Sequence, residues 1–255
     1  MRVEDLELIA NHSLSKDYYV LDLQAKDKIP DILPGQFAQV RVDNNKETFL
    51  RRPISVYDID YKKNIINLLI KEVGKGTRAL SELKPGAVLN LIYPLGNNFS
   101  MAEEGSKSLL VGGGVGVAPL LLQAKALRER SLDFAFLLGY QTAGQIIEIE
   151  RFSKQGEVLI TTEDGSQGNK GLVTDHPVLH EGAYNRIYCC GPDPMMKAVA
   201  GIAKANDIFC EVSLENTMAC GYGVCLCCVV ETNRGYINTC TEGPVFNIKE
   251  LKWQI

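Results

Sequence analysis

The strongest constraint on this 255-residue chain lies near its end, in Glu215-Asn-Thr-Met-Ala-Cys220-Gly-Tyr-Gly-Val-Cys225-Leu-Cys227-Cys228, answered twelve residues later by Cys240. Five of the eight cysteines lie there. Read as Cys220, Cys225, Cys228 and Cys240, the spacing is C-x4-C-x2-C with a distal fourth cysteine, the plant-type arrangement for a [2Fe–2S] cluster. Four thiolates around such a cluster form a compact anion. Its loop must curl tightly and aim backbone N–H groups at the sulfurs, and Gly221 and Gly223 reach the backbone angles this requires.

Other uses of the cysteines fit less well. Structural zinc takes two tight pairs, whereas only Cys225 and Cys228 form one here. A Rieske centre needs two nearby histidines, but His12, His176 and His180 all lie well upstream. A disulfide scaffold is disfavoured by the chain's length and by an N-terminus, Met-Arg-Val-Glu-Asp-Leu, with no signal-like apolar core. Cys227 would give C-x4-C-x-C as a ligand, so it is read as a bystander.

With 45% hydrophobic and 23% charged residues, the composition is that of a soluble globular chain able to bury substantial cores. A net charge of −4 without a basic run argues against a nucleic-acid partner. No apolar stretch approaches the roughly 20 residues that span a bilayer. The expectation is a cytoplasmic protein with reduced thiols.

Up to about residue 98 the pattern is short β-favouring runs. Residues 20–23, 37–42, 65–70 and 88–92 are separated by Pro34-Gly35, Asn44-Asn45, Asp60 to Lys63 and Pro85-Gly86. This predicts a small antiparallel Greek-key β-barrel over residues 1–99. One helix is expected inside it, over 77–83, with Thr77 as N-cap after Gly74-Lys-Gly76. That helix start is either a plain turn or a phosphate cradle. Arg52 and Ser55 in Arg51-Arg-Pro-Ile-Ser55 strengthen the second reading, because a guanidinium fork and a hydroxyl can reach the same pyrophosphate.

Over residues 100–213 the period changes. Strand-like runs at 108–111, 134–138, 157–161, 186–190 and 208–212 alternate with helical stretches, which predicts a five-stranded parallel α/β nucleotide-binding domain with ligands at the carboxyl ends of its strands. Gly112, Gly113, Gly114 and Gly116 follow the first strand and open a helix over 120–129, where dinucleotide phosphates would lie. The loop departs from G-x-G-x-x-G, having Val117 and Pro119 at the alternative third positions, and the second strand ends in Gly139-Tyr140 without a ribose-binding acid. Glycines that merely allow close strand–helix packing remain the alternative. Cys190, Gly191 and Pro192 follow the fourth strand and open a helix over 195–204. Cys190 lacks a base partner, so it is read as a positioning residue beside a flat ring or as a plain buried cysteine. Glu163 and Asp164, after the third strand, would repel a 2′-phosphate and so lean towards NAD over NADP. Residues 214–255 form the small [2Fe–2S] cysteine-loop subdomain.

Taken in order, Arg52-Pro-Ile-Ser55, Gly74-Lys-Gly-Thr77, Gly112-Gly-Gly-Val-Gly-Val-Ala-Pro119, Cys190-Gly-Pro-Asp-Pro-Met-Met196 and the cysteine loop resemble the ferredoxin reductase superfamily. Over essentially the whole chain they resemble one branch, the electron transfer subunits of B-type, NAD-linked dihydroorotate dehydrogenases. The resemblance implies FAD on the barrel, with Arg52, Pro53, Ile54 and Ser55 along pyrophosphate and flavin, Leu69, Ile70 and Lys71 lining it, and Gly76 and Thr77 closing over the phosphates. It implies cluster ligands Cys220, Cys225, Cys228 and Cys240, with NAD as a diffusible substrate. Family members commonly have glycine where this chain has Cys227. The partner implied is an FMN-containing catalytic subunit that oxidises dihydroorotate, in a heterotetramer of two copies each, with the cluster loop near the interface. Related reductase subunits of hydrogenase, sulfide or ferredoxin-dependent transhydrogenase complexes share the layout and stand as the alternative.

Overall fold

In the computed structural model, which describes residues 1–43 and 47–253, the chain builds two sheets and a hairpin. The first sheet comprises β1 (Arg2–Ser13), β2 (Tyr18–Gln24), β3 (Phe37–Val40), β4 (Arg52–Ser55), β5 (Asp58–Asp60), β6 (Ile65–Lys71) and β7 (Val88–Leu95). Its order is β4-β3-β7-β1-β2-β6-β5, antiparallel throughout. The non-sequential neighbours β3–β7 and β2–β6 make it a Greek key, curled so that β4 meets β6. Leu6, Leu8, Leu21, Leu23, Ile66, Leu68, Leu89 and Leu91 alternate inwards to fill it. Pro53 has no N–H to donate, and it sits on the edge strand β4 where that costs least. The expected turn at Asn44-Asn45 lies outside the described residues.

The helix α1 (Lys75–Ser81) follows β6. It begins two residues before Thr77, so the expected cap is corrected: extended Gly74 is the N-cap. Thr77 is the third helical residue. Its Oγ1 reaches back to accept N–H groups from Val73 (2.9 Å) and Gly74 (3.2 Å), the reciprocal half of a capping box.

The second sheet holds β8 (Lys107–Gly113), β9 (Asp133–Tyr140), β10 (Glu157–Thr162), β11 (Asn169–Lys170), β12 (Arg186–Cys190) and β13 (Phe209–Ser213). Interleaved are α2 (Ala118–Glu129), α3 (Ile149–Ser153) and α4 (Asp193–Ala205). The five predicted strands run parallel in the order β10-β9-β8-β12-β13, extended by β11 at one edge. Alternate residues of β8 enter opposite cores, Leu110 beneath α2 and Leu109 and Val111 beneath α4. Burial on both faces explains why these strands read as continuous apolar runs.

Beyond β13 come β14 (Val229–Thr232), β15 (Gly235–Asn238) and β16 (Val245–Asn247). The first two form a hairpin beside the cysteine loop, and β16 adds to β13 as an antiparallel edge. Asn97 pins this last segment to the barrel, accepting the Val245 N–H at Oδ1 (2.9 Å) and donating from Nδ2 to the Glu242 and Val245 carbonyls (both 2.8 Å). On another side, the buried Asp58 carboxylate of β5 binds Lys125 of α2 (2.5 Å) and Arg151 of α3 (2.6 Å), joining barrel to α/β sheet. Paired and hydrogen-bonded at both oxygens, that charge is tolerated away from water.

Candidate functional site

Between barrel, α/β sheet and cysteine segment runs a cleft of about 320 Å³. All the residues expected around the flavin except Gly76 line it: Arg52, Pro53, Ile54, Ser55, Leu69, Ile70, Lys71 and Thr77. Gly76 lies directly beneath Arg52, since a Cβ there would come within 2.7 Å of the Arg52 Nε. The guanidinium therefore rests on the first turn of α1, where backbone N–H groups have no intrahelical acceptor. A fixed cation and free amides converge there, which suits a pyrophosphate. The motif Arg52–Ser55 is the edge strand β4, held against β3.

The opposite wall was not visible in any single motif. Phe37 of β3, Val115 before α2, and Glu215 and Met218 of the cysteine segment contribute to it. Glu215 faces the open cleft but is crowded by protein behind; that crowding pushes its carboxyl above the ordinary range, and the nearby Lys71 ammonium partly offsets the effect. Lys71 also lines a second cleft of about 340 Å³ at the carboxyl ends of β8, β9, β10 and β12. Its Nζ lies 5.5 Å from the centre of the Tyr18 ring, which lines this second cleft too.

Of the residues expected around the dinucleotide, Gly113, Gly114 and Pro192 line that second cleft. Gly112 and Gly116 serve close packing: a Cβ on Gly112 would lie 2.9 Å from Val117 Cγ1, and one on Gly116 would lie 2.6 Å from Gly191 Cα. The loop thus divides its glycines between close packing, at Gly112 and Gly116, and the wall of an open cleft, at Gly113 and Gly114. Gly191 lies behind Gly113, and Cys190 is fully enclosed with its thiol pushed well up by burial, as suits an inert core cysteine. Glu163 lines the cleft; Asp164 does not, its carboxylate being engaged by the Ser166 hydroxyl (2.6 Å) and N–H (2.9 Å). Tyr140, Thr161, Val173 and Met195 complete the walls, residues that only strand order brings together. Gly116→Ala is expected to destabilise the chain by about 1–3 kcal/mol through overpacking against β12. A calorimetric melting temperature equal to that of the parent would contradict it.

The cysteine loop curls as its glycines require, with φ of +77° at Gly221 and +78° at Gly223. Backbone N–H groups point at sulfur, among them Tyr222 to Cys220 (3.3 Å), Gly223 to Cys240 (3.2 Å) and Cys240 to Cys228 (3.4 Å). Desolvation pushes the Cys220 thiol up, but backbone N–H groups of Tyr222, Cys225 and Val224, with the Cys225 side chain, outweigh it and bring the thiol down to about 6. Cys240 goes the other way, pushed up to about 12 by burial and then by Cys228. Among the described residues no three His, Cys, Asp or Glu side chains converge tightly enough for a single metal ion. The thiols lie instead in two hydrogen-bonded pairs, Cys225 with Cys220 and Cys228 with Cys240. Two thiol pairs with aimed N–H donors, losing their protons on binding, fit a four-thiolate binuclear cluster.

Cys227 follows Leu226, which carries a left-handed backbone (φ +58°), and is exposed. Cys227→Gly is expected to leave the visible cluster spectrum unchanged; bleaching in that variant would make Cys227 a ligand.

Comparison with known proteins agrees with this geometry. Residues 215–252 match the iron-sulfur cluster binding domain of dihydroorotate dehydrogenase B, and residues 5–99 match the oxidoreductase FAD-binding domain. The chain is 40% identical over 248 residues to the dihydroorotate dehydrogenase B (NAD(+)), electron transfer subunit, of Caldanaerobacter subterraneus subsp. tengcongensis, covering 96% of each chain. It is 37% identical to the protein of the same name from Geobacillus sp. (strain WCH70), covering 98% of this chain and 99% of the relative. Among solved structures, one described as the NADH-dependent reduced ferredoxin-NADP oxidoreductase superposes with a TM-score of 0.88 at 31% identity, over 97% of this chain and 90% of the other. With the cysteine loop, the barrel cleft and near full-length relatives in agreement, this chain belongs to the family of dihydroorotate dehydrogenase B (NAD(+)) electron transfer subunits.

Proposed function

We propose that this chain carries electrons between an FMN-bearing catalytic subunit, which oxidises dihydroorotate, and NAD, in a cytoplasmic heterotetramer of two copies of each chain. The observation that carries the reading is a shared wall. Glu215 and Met218 form one side of the flavin cleft two to five residues before Cys220, and Lys71 stands in both clefts. FAD exchanges electrons singly or in pairs, so when bound it links a one-electron cluster to a two-electron nicotinamide.

The chain's own residues hold and orient. Arg52, Ser55 and the first turn of α1 bind the FAD pyrophosphate, while Leu69, Ile70 and Lys71 line the flavin. Gly113, Gly114 and Pro192 admit the dinucleotide beside it, and Glu163 disfavours a 2′-phosphate. Cys220, Cys225, Cys228 and Cys240 hold the [2Fe–2S] cluster. Tyr222, Val224 and Leu226 expose 41, 76 and 64% of their surface around those ligands. An apolar patch at the point where electrons leave the chain is the surface on which the catalytic subunit docks.

The test is protein isolated anaerobically from its native cells with its companions bound. Reduction of NAD on addition of dihydroorotate, in a preparation containing both FMN and FAD, is the expected result. FAD and iron–sulfur without that activity would favour a reductase subunit of another complex, the reading to which the NADH-dependent oxidoreductase likeness gives weight.

A further inference from the structure

Strand β3 presents alternate residues to two different places. Ala38 and Val40 enter the barrel core, whereas Phe37 and Gln39 face outwards, towards the cysteine segment. Phe37 lines the flavin cleft and packs in one apolar cluster with Ile92, Leu95, Met218, Cys228 and Cys240. Gln39, two residues on, is fully buried, and neither its Oε1 nor its Nε2 has a protein partner. The main chain at Gly221 lies directly on this side chain: a Cβ there would sit 3.0 Å from Gln39 Cγ and 3.6 Å from Gln39 Cδ. The adjacent residue is the ligand Cys220.

A buried carboxamide with both ends unpaired is costly, and folding retains one where a partner exists. The acceptor-rich group that the neighbouring cysteine loop is built to take is the cluster. We infer that Gln39 Nε2 donates a hydrogen bond to a sulfur of the iron–sulfur cluster, making Gln39 a positioning residue that sets the cluster's reduction potential from within the flavin barrel. The inference rests on the four-cysteine ligand set. Reduction adds a negative charge to the cluster, so an N–H donor stabilises the reduced form more than the oxidised form and raises the potential. The backbone donors from Tyr222, Gly223 and Cys240 belong to the cysteine segment itself. Gln39 comes from the strand that also carries Phe37 into the flavin cleft, so one rigid element touches both redox sites.

The experiment is an EPR-monitored redox titration of the holoprotein, FAD and cluster present, for the parent and for Gln39→Leu, which keeps the volume and removes the donor. The expected result is unchanged iron and acid-labile sulfide with the reduced form about tenfold less favoured, a fall of about 59 mV for a one-electron couple. A fully loaded variant with the parent's potential would overturn the inference. A second measurement does not depend on the variant folding: pulsed EPR on reduced parent protein made with glutamine labelled with ¹⁵N in the side-chain amide. Nitrogen coupling to the cluster is expected, and its absence would overturn the proposal. Absence of any cluster signal in the parent would instead sink the ligand set.

Discussion

Cys228→Ala is expected to abolish the iron–sulfur chromophore while leaving FAD in place. Cys228 is 2% exposed, its sulfur accepts the Cys240 N–H, and its neighbours in the apolar cluster are Phe37, Ile92, Leu95 and Met218. No other thiol can swing into that enclosed position without unpacking the cluster. Cys227, the adjacent cysteine, points from an exposed residue that follows a left-handed turn. A four-thiolate site deprived of one ligand leaves an iron open to water and loss. The groups proposed to bind the FAD pyrophosphate, Arg52, Ser55 and the first turn of α1, lie on β4 and α1, which the substitution does not touch. Electron flow from dihydroorotate to NAD in the assembled complex is expected to fall to background, while reduction of a soluble dye by NADH through the retained flavin continues. Iron and acid-labile sulfide at parental levels in Cys228→Ala would show that the ligand set is wrong.

Arg52→Ala is expected to weaken FAD binding by roughly tenfold to a hundredfold, the effect of losing hydrogen bonds to a charged partner worth about 1.5–3 kcal/mol. The guanidinium lies on the first turn of α1 with Gly76 beneath it, and no side chain larger than glycine could sit there without displacing it. Its NH1 also donates to the Leu50 carbonyl (2.8 Å), which fixes the fork before ligand arrives. Arg52→Lys restores the charge but not the planar fork, so an intermediate affinity is expected. Fluorescence-monitored FAD titration of the apoprotein measures both. An alanine variant that holds flavin as tightly as the parent would remove Arg52 from the pyrophosphate site.

Chemistry with a short sequence signature is legible in the sequence alone. The cysteine spacing predicts a binuclear cluster, and the loop curls at Gly221 and Gly223 with the N–H groups of Tyr222, Gly223 and Cys240 on sulfur. The five parallel strands were legible because burial on both faces makes each a continuous apolar run. β1 was not: Arg2, Glu4, Asp5 and Glu7 interrupt it, and only its pairing between β2 and β7 shows that Leu6 and Leu8 alternate into a core. β4 was hidden for a related reason, since Arg51-Arg52-Pro53 has the composition of a turn until β3 supplies a partner.

The sequence by itself determined which residue types are present for each role. It holds four thiols at cluster spacing, an arginine and a helix start suited to an anion, and glycines where a chain must turn or approach closely. Tertiary structure decided which of them act together. It separated Gly113 and Gly114, which face the second cleft, from Gly112 and Gly116, which accommodate neighbouring backbone and side chains. It enclosed Cys190, set Lys71 between two clefts, and laid Gln39 under the cysteine loop from a strand some 180 residues earlier in the chain. The physical reason is that short motifs record local backbone and ligand chemistry, whereas burial and the walls of a cleft depend on strand order, which brings together residues that share no local pattern.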